Sequence, residues 1–395
     1  MGQSPPSTEY SSSPDDGLPF LQGTADFGPI HPAPQTYCGS PTKVASKDDI
    51  LFSVRAPVGE LNVADQDVGI GRGLCAIRPG SSLHPRFGWW ALHEARHQLN
   101  FVSTGSTYEA VATEDVANMV IETAGIEEQL TIADYLDREV TRLDALVAAK
   151  ERVLRLLAEK RLALITRAVT RGLDSQAPLR DSLIPWLGEI PAHWNVIRLA
   201  MCAQKITNGY VGPTRDILTT EGVRYLQSLH IKNNRIVFDE NPYFVSEKWS
   251  LDHAKSILRK GDVLIVQTGD IGQVAVVPAE FAWCNCHALI IVTPIAEHLT
   301  GEFLAAVLNS GYGQQALKAI QTGAMHPHLN CGNVREVALP IPKLQEQCAI
   351  VEHIAEETGK LDSLGSATER TILLLKERRA ALIAAAVTGK IDLGS

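Results

Sequence analysis

EQLTIADYLDREVTRLDALVAAKERVLRLLAEKRLALITRAVT, residues 128–170, is matched without a gap by EQCAIVEHIAEETGKLDSLGSATERTILLLKERRAALIAAAVT, residues 346–388. Glu128-Gln129 recurs as Glu346-Gln347, Leu143-Asp144 as Leu361-Asp362, and Glu151-Arg152 as Glu369-Arg370. Leu164-Ile165 recurs as Leu382-Ile383, and Ala168-Val169-Thr170 as Ala386-Val387-Thr388, always 218 positions apart. Charged, polar and apolar positions coincide alike, so composition alone does not explain the match. The period is too long for a solenoid and means that a whole domain and its helix were duplicated.

Both copies have heptad spacing. Leu136, Val140, Leu143, Val147, Leu154, Leu157, Leu164 and Ala168 fall on one stripe, and Ile354, Leu361, Ile372, Leu375, Leu382 and Ala386 repeat its register. Such a stripe is a seam for another helix. Lys150 and Thr368 interrupt it, and Arg161 and Arg379 are matched arginines on it. At 1.5 Å per residue, ~42 residues make a helix of roughly 60 Å. Glu346 suits the positive helix start, and the glycines in Thr170-Arg171-Gly172 and Thr388-Gly389-Lys390 mark the ends. Two readings follow. Each helix packs on its own globule, or the two pack together. The matched registers favour the second, as an antiparallel coiled-coil spacer in which Leu136 approaches Leu382 or Ala386.

The flanking sequence repeats more loosely. Gly17-Leu18-Pro19-Phe20-Leu21-Gln22 faces Gly222-Val223-Arg224-Tyr225-Leu226-Gln227. Asp49-Ile50-Leu51 with Gly59 faces Asp262-Val263-Leu264 with Gly272. The offset drifts, as loops of changing length on a common framework require. Strands are expected at 49–54, 73–77, 262–266 and 288–292, and helices at 87–99 and 301–317. The expected class is mixed α/β, with two strand-rich globules and two long helices. The divisions are 1–122, 123–174, 175–342 and 343–395.

The 395 residues carry 45% hydrophobic side chains, enough for proper cores, and a formal charge of −9, unlike a strongly basic nucleic-acid binder. No apolar run approaches the ~20 residues of a membrane span. A polar stretch after Met1 argues against a secretion signal, and seven Cys without framework spacing suit a reducing cytoplasm. Gly69-Ile70-Gly71-Arg72-Gly73 runs into a strand instead of opening a helix, so it fails as a dinucleotide loop. Asn241-Pro242-Tyr243-Phe244 lacks one proline of an amino-methyltransferase signature and reads as a turn. Cys284-Asn285-Cys286-His287 has no second cluster at zinc spacing. The expectation is a non-catalytic protein with no cofactor and no metal.

The ordered, duplicated motifs resemble the specificity subunit of type I restriction–modification enzymes. They include Leu18 to Gly23, Asp49 to Gly59 and Gly71-Arg72-Gly73. In the second half they include Ile184-Pro185-Trp186-Leu187-Gly188-Glu189-Ile190-Pro191 with Trp194, Gly261-Asp262, and Leu339-Pro340-Ile341-Pro342 before Glu346-Gln347. The resemblance spans the chain. It implies two target-recognition domains, each reading half of a bipartite site in double-stranded DNA. It also implies paired helices that set the spacing and dock DNA adenine methyltransferase subunits, with a motor-nuclease subunit joining that core.

Base reading needs hydrogen-bonding side chains on loops, with phosphate contacts adding affinity. In the first globule the candidates are Gln3, Ser4, Ser7, Arg55, Arg72, Thr104 and Ser106. In the second they are Asn208, Tyr210, Thr214, Thr268, Gln321, Thr322, His326, His328 and Asn330. A helical scaffold that reads no DNA is the rival from another class; it would not need duplicated globules with divergent loops.

One departure stands out. The second globule opens with Leu179 to Asn208, including Trp186, Trp194 and Leu199, and the first has no counterpart. Met1-Gly2-Gln3 lines up near Ile206-Thr207-Asn208. The first recognition domain is therefore expected to lack its opening element. Either that element lies upstream, or it is supplied in trans, or the subunit is partial.

Overall fold

A computed structural model describes residues 1–101, 110–232, 234–323, 325–391 and 393. The architecture is mixed α/β. Two helices, Ile126–Arg171 and Leu344–Val387, dominate it. Acidic residues stand in their first turns, where the helix dipole favours them, and Gly172 and Gly389 at φ 70 and 66 close them in the left-handed conformation that glycine allows. The chain forms two compact units, Met1–Glu151 with Glu369–Ser395, and Arg152–Thr368.

In the first unit, β1 (Leu18–Leu21), β2 (Ile50–Ser53), β3 (Leu61–Val63), β4 (Val68–Ile70) and β5 (Leu74–Ile77) form the frame. The central sheet runs β3-β2-β5, all antiparallel, with Ile50 opposite both Val63 and Ile77. Every residue of β2 is buried, which explains its unbroken apolar run. Beside it, β1 and β4 pair in parallel, Phe20 opposite Gly69.

Phe87, Trp90 and Ala91 of helix Pro85–Ala95 pack against Ile132, Ala133, Leu136 and Val140 of the first long helix. Ile383, Ala386 and Val387 of the second complete this cluster, with Leu382 at its edge. Leu136 thus meets the far end of the other helix, so the pairing is antiparallel. Asp144 joins Arg379 at 2.9 Å.

In the second unit, β6 (Asn195–Arg198), β7 (Ala203–Asn208), β8 (Val223–Leu226), β9 (Val263–Val266), β10 (Val274–Val276), β11 (Asn285–Cys286), β12 (Leu289–Pro294) and β13 (Ala338–Ile341) form the frame. The order β7-β12-β9-β10 adds one strand, β7, to the pattern of the first unit, and β8 pairs β11 in parallel as β1 pairs β4. β6 pairs β13. Ala168 and Val169 of the first long helix share a core with Ile350 of the second and with Trp194, Leu199 and Phe303. The ends again oppose, and Arg161 pairs with Asp362. Because Asp144 and Asp362, and Arg161 and Arg379, are repeat-related, the two ion pairs are the same pair made twice.

Both expected mid-domain helices end earlier than their spacing suggests. The helix at 87–99 is α-helical only to Ala95 and then tightens into 3-10 geometry. Helix 301–317 breaks into Gly301–Asn309 and Gly311–Ala319. Ser310 caps the second piece through Gly313 N, 3.1 Å from its hydroxyl, a local bond that competes with continuing the helix. Among the described residues, no helix is long and apolar enough to cross a membrane.

Candidate nucleic-acid interface

Three backbone bonds show how closely the two units share a scaffold. In the first, Gly2 N donates to Leu74 O (2.8 Å), Gln3 N to Ile70 O (3.0 Å) and Gly71 N to Leu21 O (2.7 Å). In the second, Gly209 N donates to Leu289 O (2.8 Å), Tyr210 N to Cys286 O (2.9 Å) and His287 N to Leu226 O (2.7 Å). Gln3 therefore corresponds to Tyr210, two residues further on than sequence alignment places it. The same register sets Gly2 on Gly209, Pro6 on Pro213 and Ser7 on Thr214, although Gln3-Ser4-Pro5 and Tyr210-Val211-Gly212 are unlike.

On the first scaffold, Ser4 and Arg72 meet: the Ser4 hydroxyl accepts from Arg72 N at 3.2 Å. Gln3, Ser7 and Arg72 are exposed around that point. A Cβ on Gly73 would lie 2.3 Å from Gln22 O, so glycine is needed for the chain to pass. Arg55 is exposed on a loop that Ser53 braces, donating to Pro57 O (2.6 Å) and accepting from Glu60 N (2.8 Å). Val111 N donates to Val54 O at 3.0 Å and brings the following segment alongside. Thr104 and Ser106 lie outside the described residues.

The second scaffold repeats that link with Leu329 N donating to Gln267 O at 3.0 Å. It brings Thr268, His326 and His328 to one open recess of about 450 Å³, shared with Gly269, Ile271 and Pro327. Thr322 and His328 exchange backbone bonds of 3.0 and 2.8 Å across its rim. The remaining candidates do not converge there. Asn330 accepts from Asn333 N at 2.9 Å and caps a short helix; Asn208 accepts from Cys331 Sγ at 3.0 Å. Thr214 sits in a turn closed by Ile217 N, and Gln321 N bonds Lys318 O.

Tyr210 belongs to a second cluster that sequence reading missed. Trp249 and His253 stack at 4.0 Å, and Tyr210 stands edge-on to both at 5.0 and 5.1 Å. Tyr225 meets Trp249 edge-on at 5.5 Å, and its hydroxyl lies 3.2 Å from His287 Nδ1. Burial pushes the His287 pKa down and that of Tyr225 up, so both are neutral near pH 7. Tyr210, Trp249 and His253 remain half-exposed, and Lys248 and Lys255, their neighbours along the chain, are exposed. A half-exposed aromatic face beside ammonium groups can stack on a planar ring while the charges meet phosphate. The sequence signal was Trp249 and His253 four apart, a spacing that stacks side chains on one helix face.

The Cys284 and Cys286 thiols are buried, and burial pushes their pKa values up, that of Cys284 to about 11. Along the long helices Leu136, Leu143 and Ile372 are buried, while Leu154, Leu157, Arg161, Leu164, Ile354, Leu361, Leu375, Arg379 and Leu382 are half-buried.

The family described as the type I restriction modification DNA specificity domain matches residues 34–154 and 191–360. A putative type I restriction enzyme specificity subunit of Methanocaldococcus jannaschii is 35% identical over 165 residues, 40% of this chain and 39% of that protein. The EcoBI specificity subunit of Escherichia coli is 21% identical over 313 residues, 78% of this chain and 65% of that protein. The chain thus spans less than two thirds of the length of either relative. Among solved structures, a chain of a type I R-M system described for its complex assembly and conformational transition superposes with a TM-score of 0.71. It is 20% identical, over 94% of this chain and 91% of that one. The HsdS subunit from Thermoanaerobacter tengcongensis gives 0.56 at 19% identity, over 95% of this chain and 91% of that one. At these identities the structural likeness speaks for the fold.

Proposed function

We infer the role of this chain from one premise: it belongs to the type I restriction modification DNA specificity family. Each globule is the reader of one half of a bipartite site in double-stranded DNA. The domain division is 1–122 and 175–342 for the readers, 123–174 and 343–395 for the helices. The helices hold the half-sites at a fixed separation and dock DNA adenine methyltransferase subunits, with a motor-nuclease subunit bound to that assembly. The chain itself supplies recognition and its partners supply catalysis.

The observation that carries this reading is the shared backbone frame with unlike side chains on it. Gly2, Gln3 and Gly71 make the bonds of Gly209, Tyr210 and His287. On that frame one unit presents Ser4 and Arg72, the other an aromatic cluster and a threonine–histidine recess. A constant frame with variable loops is what two readers of different sequences require, since base identity is read by side chains in the groove. A scaffold that only paired proteins gains nothing from this divergence.

The formal charge of −9 is compatible with DNA binding when cations lie on one face, and partners that share the contact supply the rest of the affinity. The test is selection from a random duplex library by the full chain with methyltransferase subunits. Two short conserved boxes at a fixed separation are expected. A single box, or none, would refute the two-reader account.

A further inference from the structure

We propose that His287 is a fixed hydrogen-bond donor of the second unit. Tyr225 holds it in the tautomer that carries its hydrogen on Nε2, and that hydrogen meets an acceptor on a base edge. Acceptors of this class are N7 and O6 of guanine, N7 of adenine and O4 of thymine. The inference rests on reading the second unit as a DNA reader, and it names what one side chain of that reader recognises.

Backbone bonds pin His287 on both sides. Its own N donates to Leu226 O at 2.7 Å, and the next N, that of Ala288, donates to Tyr210 O at 2.8 Å. Ala288 takes a φ of 46, a left-handed conformation that a residue with a side chain keeps only where its surroundings hold it. Tyr225 then decides the tautomer. Its side chain is fully buried, out of reach of water, and among the described residues the one partner of its hydroxyl is His287 Nδ1, at 3.2 Å. A phenol has one hydrogen to donate. A hydrogen on Nδ1 would leave the phenol hydrogen buried without an acceptor, which disfavours that arrangement by roughly tenfold or more. Nδ1 is thus the acceptor, and the imidazole hydrogen sits on Nε2. Burial also keeps both groups neutral, lowering the pKa of His287 and raising that of Tyr225. Nε2 has no partner among the described residues and is not enclosed by them, since His287 is half-exposed.

The setting assigns this donor to a base and not to a phosphate. Lys248 and Lys255, exposed on the segment that carries Trp249 and His253, bring the charge that phosphate contacts use. The rings of Tyr210 and Tyr225 stand 6.3 and 6.1 Å from that of His287 and wall it with apolar surface. A neutral N–H has no charge to offer a phosphate. Against a base edge it separates acceptors from amino groups, because cytosine N4 and adenine N6 carry hydrogens of their own and would face it unpaired. A fixed tautomer sharpens that choice, since a free imidazole could turn an acceptor towards those amino groups. The first unit has no such donor at this point of its frame, where Gly71 takes the place of His287.

The experiment labels the histidine ring nitrogens of the full chain with nitrogen-15 and records their long-range proton–nitrogen NMR spectrum at neutral pH. The His287 signals are assigned by their loss in His287→Gln. A single neutral tautomer with its hydrogen on Nε2 is expected, and a mixture in Tyr225→Phe, which keeps the ring and lacks the hydroxyl. Hydrogen on Nδ1, or a mixture in the unaltered chain, would overturn the proposal. Selection from a random duplex library with methyltransferase subunits present then tests the contact. His287→Gln and Tyr225→Phe should each relax the preference at one base pair of one half-site by about tenfold, as for one hydrogen bond, with the other half-site as before. Preferences unchanged at every base pair would overturn the contact, and so would an equal loss of affinity for all sequences, which would make the partner a phosphate. An unaltered chain that selects no site would remove this contact along with the two-reader account, while the spectrum reports the tautomer either way.

Discussion

Gln347→Leu should unfold the second unit selectively. Gln347 is fully buried at the start of the second long helix and makes three hydrogen bonds. Its amide oxygen accepts from Thr300 N at 3.0 Å, and its nitrogen donates to His298 O at 2.8 Å and Pro342 O at 3.0 Å. Leucine fills much of the same volume and leaves all three backbone groups without this partner. At about 1 kcal/mol net per bond the loss is ~3 kcal/mol, and full desolvation penalties of about 1–3 kcal/mol for each of the three groups raise the ceiling to roughly 9 kcal/mol. That is a large share of the 5–15 kcal/mol that a domain typically has. Gln129 makes the same three bonds in the first unit, to His84 N (2.7 Å), Ser82 O (2.9 Å) and Ala124 O (2.8 Å). Urea titration read by amide exchange should show Gln347→Leu lowering protection in 263–266 and 289–294 while 50–53 keeps its own, and Gln129→Leu doing the reverse. A loss below 1 kcal/mol, or an equal loss in both units from either variant, would refute the claim that one glutamine fastens each long helix to its globule.

Asp362→Asn and Asp144→Asn should each cost under about 1 kcal/mol in thermal unfolding, because Arg161 and Arg379 and their partners are partly solvated; a loss above 2 kcal/mol in either would contradict that ranking. His93 is held at a pKa of about 4 by burial, with Arg96 and Arg379 beside it, against 6.5 in the unfolded chain. The unfolded chain therefore binds the proton between those values. The first unit should lose stability as pH falls from about 6.5 to about 4 and be insensitive to His93 above pH 7, and His93→Gln should flatten that part of the profile. Arg72→Gln should weaken DNA binding and reduce its salt slope by about 1 if the guanidinium meets phosphate; an unchanged slope with altered sequence preference would assign it to a base instead. Trp249→Ala should weaken recognition of one half-site only, by roughly tenfold as for the loss of one aromatic contact, read by competition with duplexes altered in either half.

The long helices and the buried strands were legible because their signals are local. Leu136 to Ala168 keep heptad spacing whatever surrounds them, and Ile50–Ser53 and Val263–Val266 are apolar runs bounded by turn residues. Antiparallel pairing was legible only because the sequence is duplicated, which makes Asp144–Arg379 and Arg161–Asp362 two copies of one contact. What stayed hidden depends on tertiary assembly. The break at Ser310 turns on one hydroxyl choosing Gly313 N. The correspondence of Gln3 with Tyr210 is fixed by backbone bonds, and in the sequence only the sparse matches of Gly2 with Gly209, Pro6 with Pro213 and Ser7 with Thr214 record it. The aromatic cluster is gathered from positions 210, 225, 249, 253 and 287, and only its Trp249–His253 pair is close in sequence.

The most direct test of two independent readers is to exchange residues 175–340 for the matching segment of another family member. The adenines methylated in a host carrying the complete system are then sequenced. One half-site should change, with the other half-site and their separation as before. Change in both half-sites, or in neither, would contradict the account.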